Sequence, residues 1–77
     1  MRNRRFNLDR DKSLISQIES ILFNISRVQK INMSEEFWKI VERTDSLRSQ
    51  YNPKNNRYMN VPLSISDSQE EDIVIEK

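Results

Sequence analysis

Between Leu14 and Val28 the aliphatic residues fall at Leu14, Ile18, Ile21, Ile25 and Val28, in steps of four and three. That is heptad spacing, and on a helix it gathers five side chains into one stripe. Ile15 and Leu22 widen the stripe, while Phe23 and Ile31 lie off it. The rhythm repeats at Met33, Phe37, Ile40, Thr44, Leu47 and Tyr51, flanked by Trp38 and Val41. The step of five from Val28 to Met33 rotates the stripe by about 140°, so the two halves do not share one seam. Asn32 with Glu35 has capping-box spacing, and Ser34 before Glu35 and Glu36 is a second candidate cap. The spacing predicts an all-α fold of two amphipathic helices, about 9–31 and 35–51, with Asn7 or Asp9 capping the first. They form a helical hairpin or, since no glycine or proline enforces a turn between them, a kinked coiled coil.

Two such helices do not cover Phe23, Trp38 and the flanking aliphatic residues by themselves. At 77 residues the chain holds one small domain, of a size that buries only about 60% of its unfolded surface. Hydrophobic residues are 35% and charged residues 32% of it, between a weak globular domain and a segment that folds on binding. Small folds take reinforcement from disulfides, metals or partner chains. With no cysteine and no histidine, the partner chain is the route left open, and no cofactor is expected. Leu14, Ile18, Ile21, Leu22, Ile25, Val28, Phe37, Trp38, Ile40, Val41 and Leu47 are therefore the expected partner-binding residues, in a homo- or hetero-oligomer.

The missing residue types also bear on catalysis. Histidine is the commonest general base and cysteine the readiest nucleophile. Phosphate-cradling loops need glycine, and the chain has none. A Ser–Lys or paired-carboxylate site stays open on residue types alone, but it needs a pocket that so small a core is not expected to build. The expectation is a protein that is not an enzyme. No apolar run approaches the roughly 20 residues of a membrane-spanning helix, and Asn7 to Lys12 interrupt any leader-like pattern after the first arginines. A nuclear or cytoplasmic protein without a membrane is expected.

The net charge of +1 conceals a segregation. Residues 1–12 hold five bases against two acids, and residues 64–77 hold five acids against one base. The chain thus divides into a basic arm over 1–8, a helical interaction region over 9–51, an Asn/Pro linker over 52–63 and an acidic tail over 64–77. Pro53 ends the second helix by Asn52. The stretch 58–63 is able to lie extended over the helices, though Pro62 argues against a central strand there. Arg2, Arg4 and Arg5 are candidate basic contacts, either for an acidic partner or for the chain's own acidic tail. The cluster is small for nucleic acid, which is not an expected partner.

The tail is expected to be disordered except at Ile73, Val74 and Ile75, three consecutive β-branched residues that favour an extended strand. With no sheet of its own, such a strand adds to another protein's edge. The aliphatic core beside Asp67, Glu70, Glu71 and Asp72 resembles a SUMO-interacting motif. The resemblance implies that Ile73, Val74 and Ile75 fill an aliphatic groove on SUMO while the acids meet its basic rim. Ser64 and Ser68 each precede an acid by three residues, the pattern of acidophilic kinases, and are candidate phosphorylation sites.

The reading is a small non-catalytic accessory or adaptor subunit that folds with partner chains through its helices. Alternatives are a SUMO-binding or otherwise tail-led recognition module, and a phage or viral inhibitor of a host protein. The stretch from Ile18 to Ile25 and on through Phe37–Trp38–Lys39–Ile40 also resembles a coiled-coil subunit of the fungal DASH kinetochore ring. Its joining segment is shorter than that comparison requires, so a kinetochore-type assembly stands last.

Overall fold

A computed structural model describes residues 3–77. In chain order its elements are β1 (Asn3–Phe6), α1 (Leu14–Asn24), β2 (Lys30–Ser34), α2 (Glu35–Arg43), α3 (Asp45–Arg48), β3 (Tyr51–Asn52), β4 (Arg57–Tyr58), β5 (Val61–Ser66) and β6 (Ile73–Glu76). The strands form one mixed sheet in the order β1-β6-β2-β5-β4-β3. The fold is α/β, and the expected all-α pair of helices, hairpin or coiled coil, is overturned.

The correction is sharpest at the phase break between the two helical stripes. Lys30-Ile-Asn-Met-Ser34 alternates polar and apolar residues, the period of a half-buried strand. As β2 it buries Ile31 and Met33 on one face and leaves Lys30 and Asn32 half-exposed on the other. The first helix is therefore 11 residues long, not 23: it starts after Ser13, whose Oγ accepts from Ser16 N at 3.3 Å, and stops at Asn24 because Ile25 is extended. Arg27, at φ 59°, turns the chain back toward the sheet. The second helix begins where β2 ends. Ser34 Oγ accepts from Phe37 N at 3.1 Å, and Glu35 and Glu36 sit in the positive first turn. Ser34, one of the two candidate caps, is thus the N-cap, and Asn32 is a strand residue.

The linker and tail are ordered too. β5 runs parallel to β2, with Ile31 opposite Leu63 and Met33 opposite Ile65. Pro62 lies inside this interior strand, against expectation. Its tolerance follows from register: Leu63 N bonds Asn56 O, and Tyr58 pairs with Val61, so Arg57 and Pro62 form a non-hydrogen-bonded pair. The paired register with β2 begins only at Leu63. The segment expected to be a disordered acidic tail crosses over the end of β2 and returns as β6, antiparallel to both β2 and β1.

Register places Ile31, Met33, Leu63, Ile73 and Ile75 on one face, because alternate residues of paired strands point the same way. These five join Ile18 of α1, Phe37 and Val41 of α2, Leu47 of α3 and Tyr58 in one core. The opposite face carries Asn32, Ser64, Ser66 and Glu76.

Tyr58 is fully buried, and its hydroxyl donates to the carbonyl of Leu47 at 2.8 Å. Burial pushes its phenol up from 10.0 to about 12. An unfolded tyrosine loses its proton near 10, so this contribution to stability is full below pH 10 and falls as pH rises to about 12. The fall is on the order of 2 kcal/mol. Tyr58→Phe is expected to lower stability by about 1–2 kcal/mol at neutral pH, since Leu47 O loses its donor. It should also flatten the alkaline limb in urea titrations run between pH 9 and 12. An unchanged alkaline limb would contradict the assignment.

Candidate functional site

Three concavities among the described residues stand out, and the residues around each decide what it is fit for. The most polar lies where β2 and β5 end, in front of α2. It has a volume of about 360 Å³ and is walled by Glu35, Glu36, Asp67, Glu70 and Asp72 with Ser34 and Ser68. Its most buried polar groups are already engaged. Ser34 caps α2, and Asp72 accepts from Arg10 and from Leu8 N. Among the described residues no group of histidine, cysteine or carboxylate side chains is placed to hold a metal ion.

The second concavity is apolar and centres on an aromatic ring. Phe23 is 90% exposed, the extreme among the large hydrophobic side chains of the described residues. The cause is helical phase: Ile18 is the fully buried position of α1, and a residue five further on lies about 140° round the helix. Beside Phe23, Leu22 and Met59 line a shallow depression of about 520 Å³ whose one carboxylate is Glu19. Met59 sits there at a local cost. With Asn60 it forms the two-residue turn between β4 and β5, and both residues have positive φ, 47° and 68°. Such a turn wants asparagine or glycine at each position. Asn60 fits it. Met59 does not, and a non-glycine residue there carries on the order of 1 kcal/mol of strain.

The third is a groove between β1 and α1, with Phe6 and Ile21 at its centre and the cations Lys12 and Arg4 toward its two ends. Ser20 borders both this groove and the Phe23 depression, so α1 presents one continuous surface.

The expected helical contact residues are distributed differently. Ile18, Ile25, Phe37, Val41 and Leu47 are buried in the domain's own core, and Leu14, Ile21, Leu22, Val28, Trp38 and Ile40 pack half-buried against it. Trp38 meets Tyr51 edge-on at 5.0 Å between ring centres. Ile73, Val74 and Ile75 are buried in β6, whose ladder positions on both sides are filled by β1 and β2. Reaching another protein's edge would require β6 to leave this sheet. Ser64 is half-buried in β5, and Ser68 is exposed in the following loop. Arg4 and Arg5 lie in β1, while Arg2 falls outside the described residues.

The pairing of head with tail is direct. Arg5 bonds Glu71 at 2.8 Å, and Arg10 bonds Asp72 through Nη1 and Nη2, each at 2.9 Å. The Glu71 backbone amide, and then Arg5, hold the Glu71 carboxyl below its usual range. Phe23 and Met59 were the missed residues. Phe23 carried a sequence signal, its position off the stripe; Met59 carried none, because its distinction is a backbone angle. No described helix is long and apolar enough to cross a membrane. The chain matches no protein-family model, no curated protein and no solved structure.

Proposed function

We propose that this domain is a non-catalytic accessory or adaptor subunit that docks onto another protein through Phe23, Leu22 and Met59. The observation that carries the reading is a phenyl ring 90% exposed beside a methionine held in a strained turn. Burying a phenylalanine side chain is worth about 1.5–3 kcal/mol, a substantial amount in a domain this size. A partner with an apolar pocket supplies that burial, and methionine adapts to irregular pockets because its chain is flexible and its sulfur polarisable. The commitment of Ser34 and Asp72 to structural bonds supports a non-catalytic role. A nuclear or cytoplasmic setting belongs to the same proposal, in keeping with a small chain that has no cysteine.

Met59→Asn tests the reading because it sets stability against binding. Asparagine suits the turn and is expected to raise folding stability by about 1 kcal/mol. Phe23→Ser should change stability by less than about 0.5 kcal/mol, being a surface substitution. Both are expected to lose the partner that the wild-type protein captures from its native cell in quantitative mass spectrometry. Identical captured proteins on all three baits would refute the proposal.

A further inference from the structure

The geometry points to the free edge of β1 as a docking site for an extended acidic segment of another protein, separate from the Phe23–Met59 surface. Among the described residues β1 ends the sheet and pairs only with β6. Ser34 N donates to Asp72 O, so in the β2–β6 register the even-numbered residues of β6 turn their amides toward β2. Ile73 and Ile75 therefore bond β1, through Phe6 and Arg4. That leaves the amide and carbonyl groups of Asn3 and Arg5 pointing outward, where a further strand would bond them.

Below this edge lies the groove between β1 and α1. Its two parts, about 440 and 250 Å³, share Phe6, Ser20 and Ile21, so they form one channel alongside the strand. Alternate side chains of an added strand would enter it and meet Phe6, Leu8, Ile21 and Ile25. Arg4 and Lys12 also line it, no carboxylate does, and neither cation makes an ion pair among the described residues. The nearby acids Glu71 and Asp72 are occupied by Arg5 and Arg10.

Charge selects the occupant. A second copy pairing antiparallel through β1 would set Arg4 opposite its own counterpart in one register and Arg5 opposite its own in the next that centres on the strand, and like charges opposite one another destabilise a ladder. A strand with alternating aliphatic and acidic residues has the complementary character. The inner edge of β1 already accepts a strand of related character, an aliphatic run preceded by acids: Ile73, Val74 and Ile75 follow Glu71 and Asp72, which pair with Arg5 and Arg10.

The probe is a blocked seven-residue peptide of alternating glutamate and valine, titrated into the nitrogen-15-labelled full chain. It is compared with the same peptide carrying glutamine for glutamate and with a thymidine oligonucleotide. The acidic peptide is expected to slow hydrogen exchange at the amides of Asn3 and Arg5, leave Phe23 and Met59 unperturbed, and weaken with added salt. The glutamine peptide, and the Arg4→Glu and Lys12→Glu variants, should each bind at least about tenfold more weakly. Arg5→Pro, which removes an outward amide, should lose binding that Arg5→Ala keeps. If Arg5→Pro does not fold, exchange at Asn3 and Arg5 in the wild-type chain decides the matter. Equal affinity for the glutamine peptide, perturbation confined to Phe23 and Met59, displacement of the peptide by an equal concentration of oligonucleotide, or no binding would each overturn the proposal.

Discussion

Replacing Ile73, Val74 and Ile75 together with alanine is expected to unfold the domain. β6 is held on one side by β1 and on the other by β2, and all three side chains are buried. Ile73 and Ile75 stand on the core face beside Met33 and Ile31. An isoleucine-to-alanine change in a core costs about 2–5 kcal/mol, from lost transfer energy and from the cavity left behind. Val74, on the other face, adds a smaller loss. The sum, roughly 5–10 kcal/mol, is comparable with the whole stability of about 4–12 kcal/mol usual for a chain of this size. Circular dichroism should show the cooperative thermal transition abolished at 25 °C, helical signal included, because α1 and α2 have nothing to pack on without the sheet. A sequence-level view of these residues as a detachable tail expects the opposite result, helicity intact. A variant that still melts cooperatively within about 10 °C of wild type would show β6 to be peripheral.

That contrast shows what was readable in the chain. Ser34 was legible as a cap because the hydroxyl, the two following glutamates and the apolar run all lie within one turn. The extended nature of Ile73, Val74 and Ile75 was legible because β-branching is a local preference. The helix expected to run to 51, before Pro53, instead stops at Arg43, with only the short α3 to Arg48 beyond it, and Tyr51–Asn52 is β3. β2 was not legible, because two periods coincide on its residues. Met33 is at once the first position of a heptad series and the fourth of a polar–apolar alternation, and a five-residue strand offers too few repeats to choose between them. Val61-Pro-Leu-Ser-Ile-Ser66 alternates just as cleanly, but the proline and serines masked it.

The sheet itself was beyond local pattern. Phe6 pairs with Ile73 and Asn3 with Glu76, across almost the whole chain. Nothing in Asn3-Arg-Arg-Phe6 announces a strand by propensity, because its pairing is supplied by β6. Charge left one trace of this contact: five bases near one end and five acids near the other are the groups from which the Arg5–Glu71 and Arg10–Asp72 pairs form. The candidate surface divides in the same way. The helix phase that exposes Phe23 is a sequence property, whereas the strain at Met59 and the free edge of β1 exist only after the hairpin and the sheet order are set.

The dependence of the two ends on each other converges on Asp72, and Asp72→Ala is expected to lower stability by about 2–3 kcal/mol. Its Oδ2 accepts from Leu8 N at 2.8 Å and from Arg10 Nη1 at 2.9 Å, and its Oδ1 accepts from Arg10 Nη2 at 2.9 Å. Its backbone amide donates to Asn7 Oδ1, and its carbonyl accepts from Ser34 N, the residue that caps α2. One residue thus ties the segment after β1 to the junction of β2 and α2. The carboxylate side chain is only 13% exposed, against 45% for Arg10, so the bond has more of the character of a buried pair than of a surface one. Truncation leaves Leu8 N without its acceptor and frees Arg10, whose guanidinium carbon lies 5.2 Å from the centre of the Phe37 ring. The melting temperature should fall by about 10–20 °C, given about 4–8 °C per kcal/mol for a domain of this length. Arg10→Ala should cost less than Asp72→Ala, because Leu8 N keeps its partner. The double variant should show a coupling of about 1–2 kcal/mol. Amide exchange in Asp72→Ala should rise first at Phe6 and Leu8 and only later at Ile31, since β2 keeps its bonds to β5. A loss below about 0.5 kcal/mol, or exchange rising uniformly through β1, β2 and β5, would mean that the two ends are joined by the β1–β6 ladder alone.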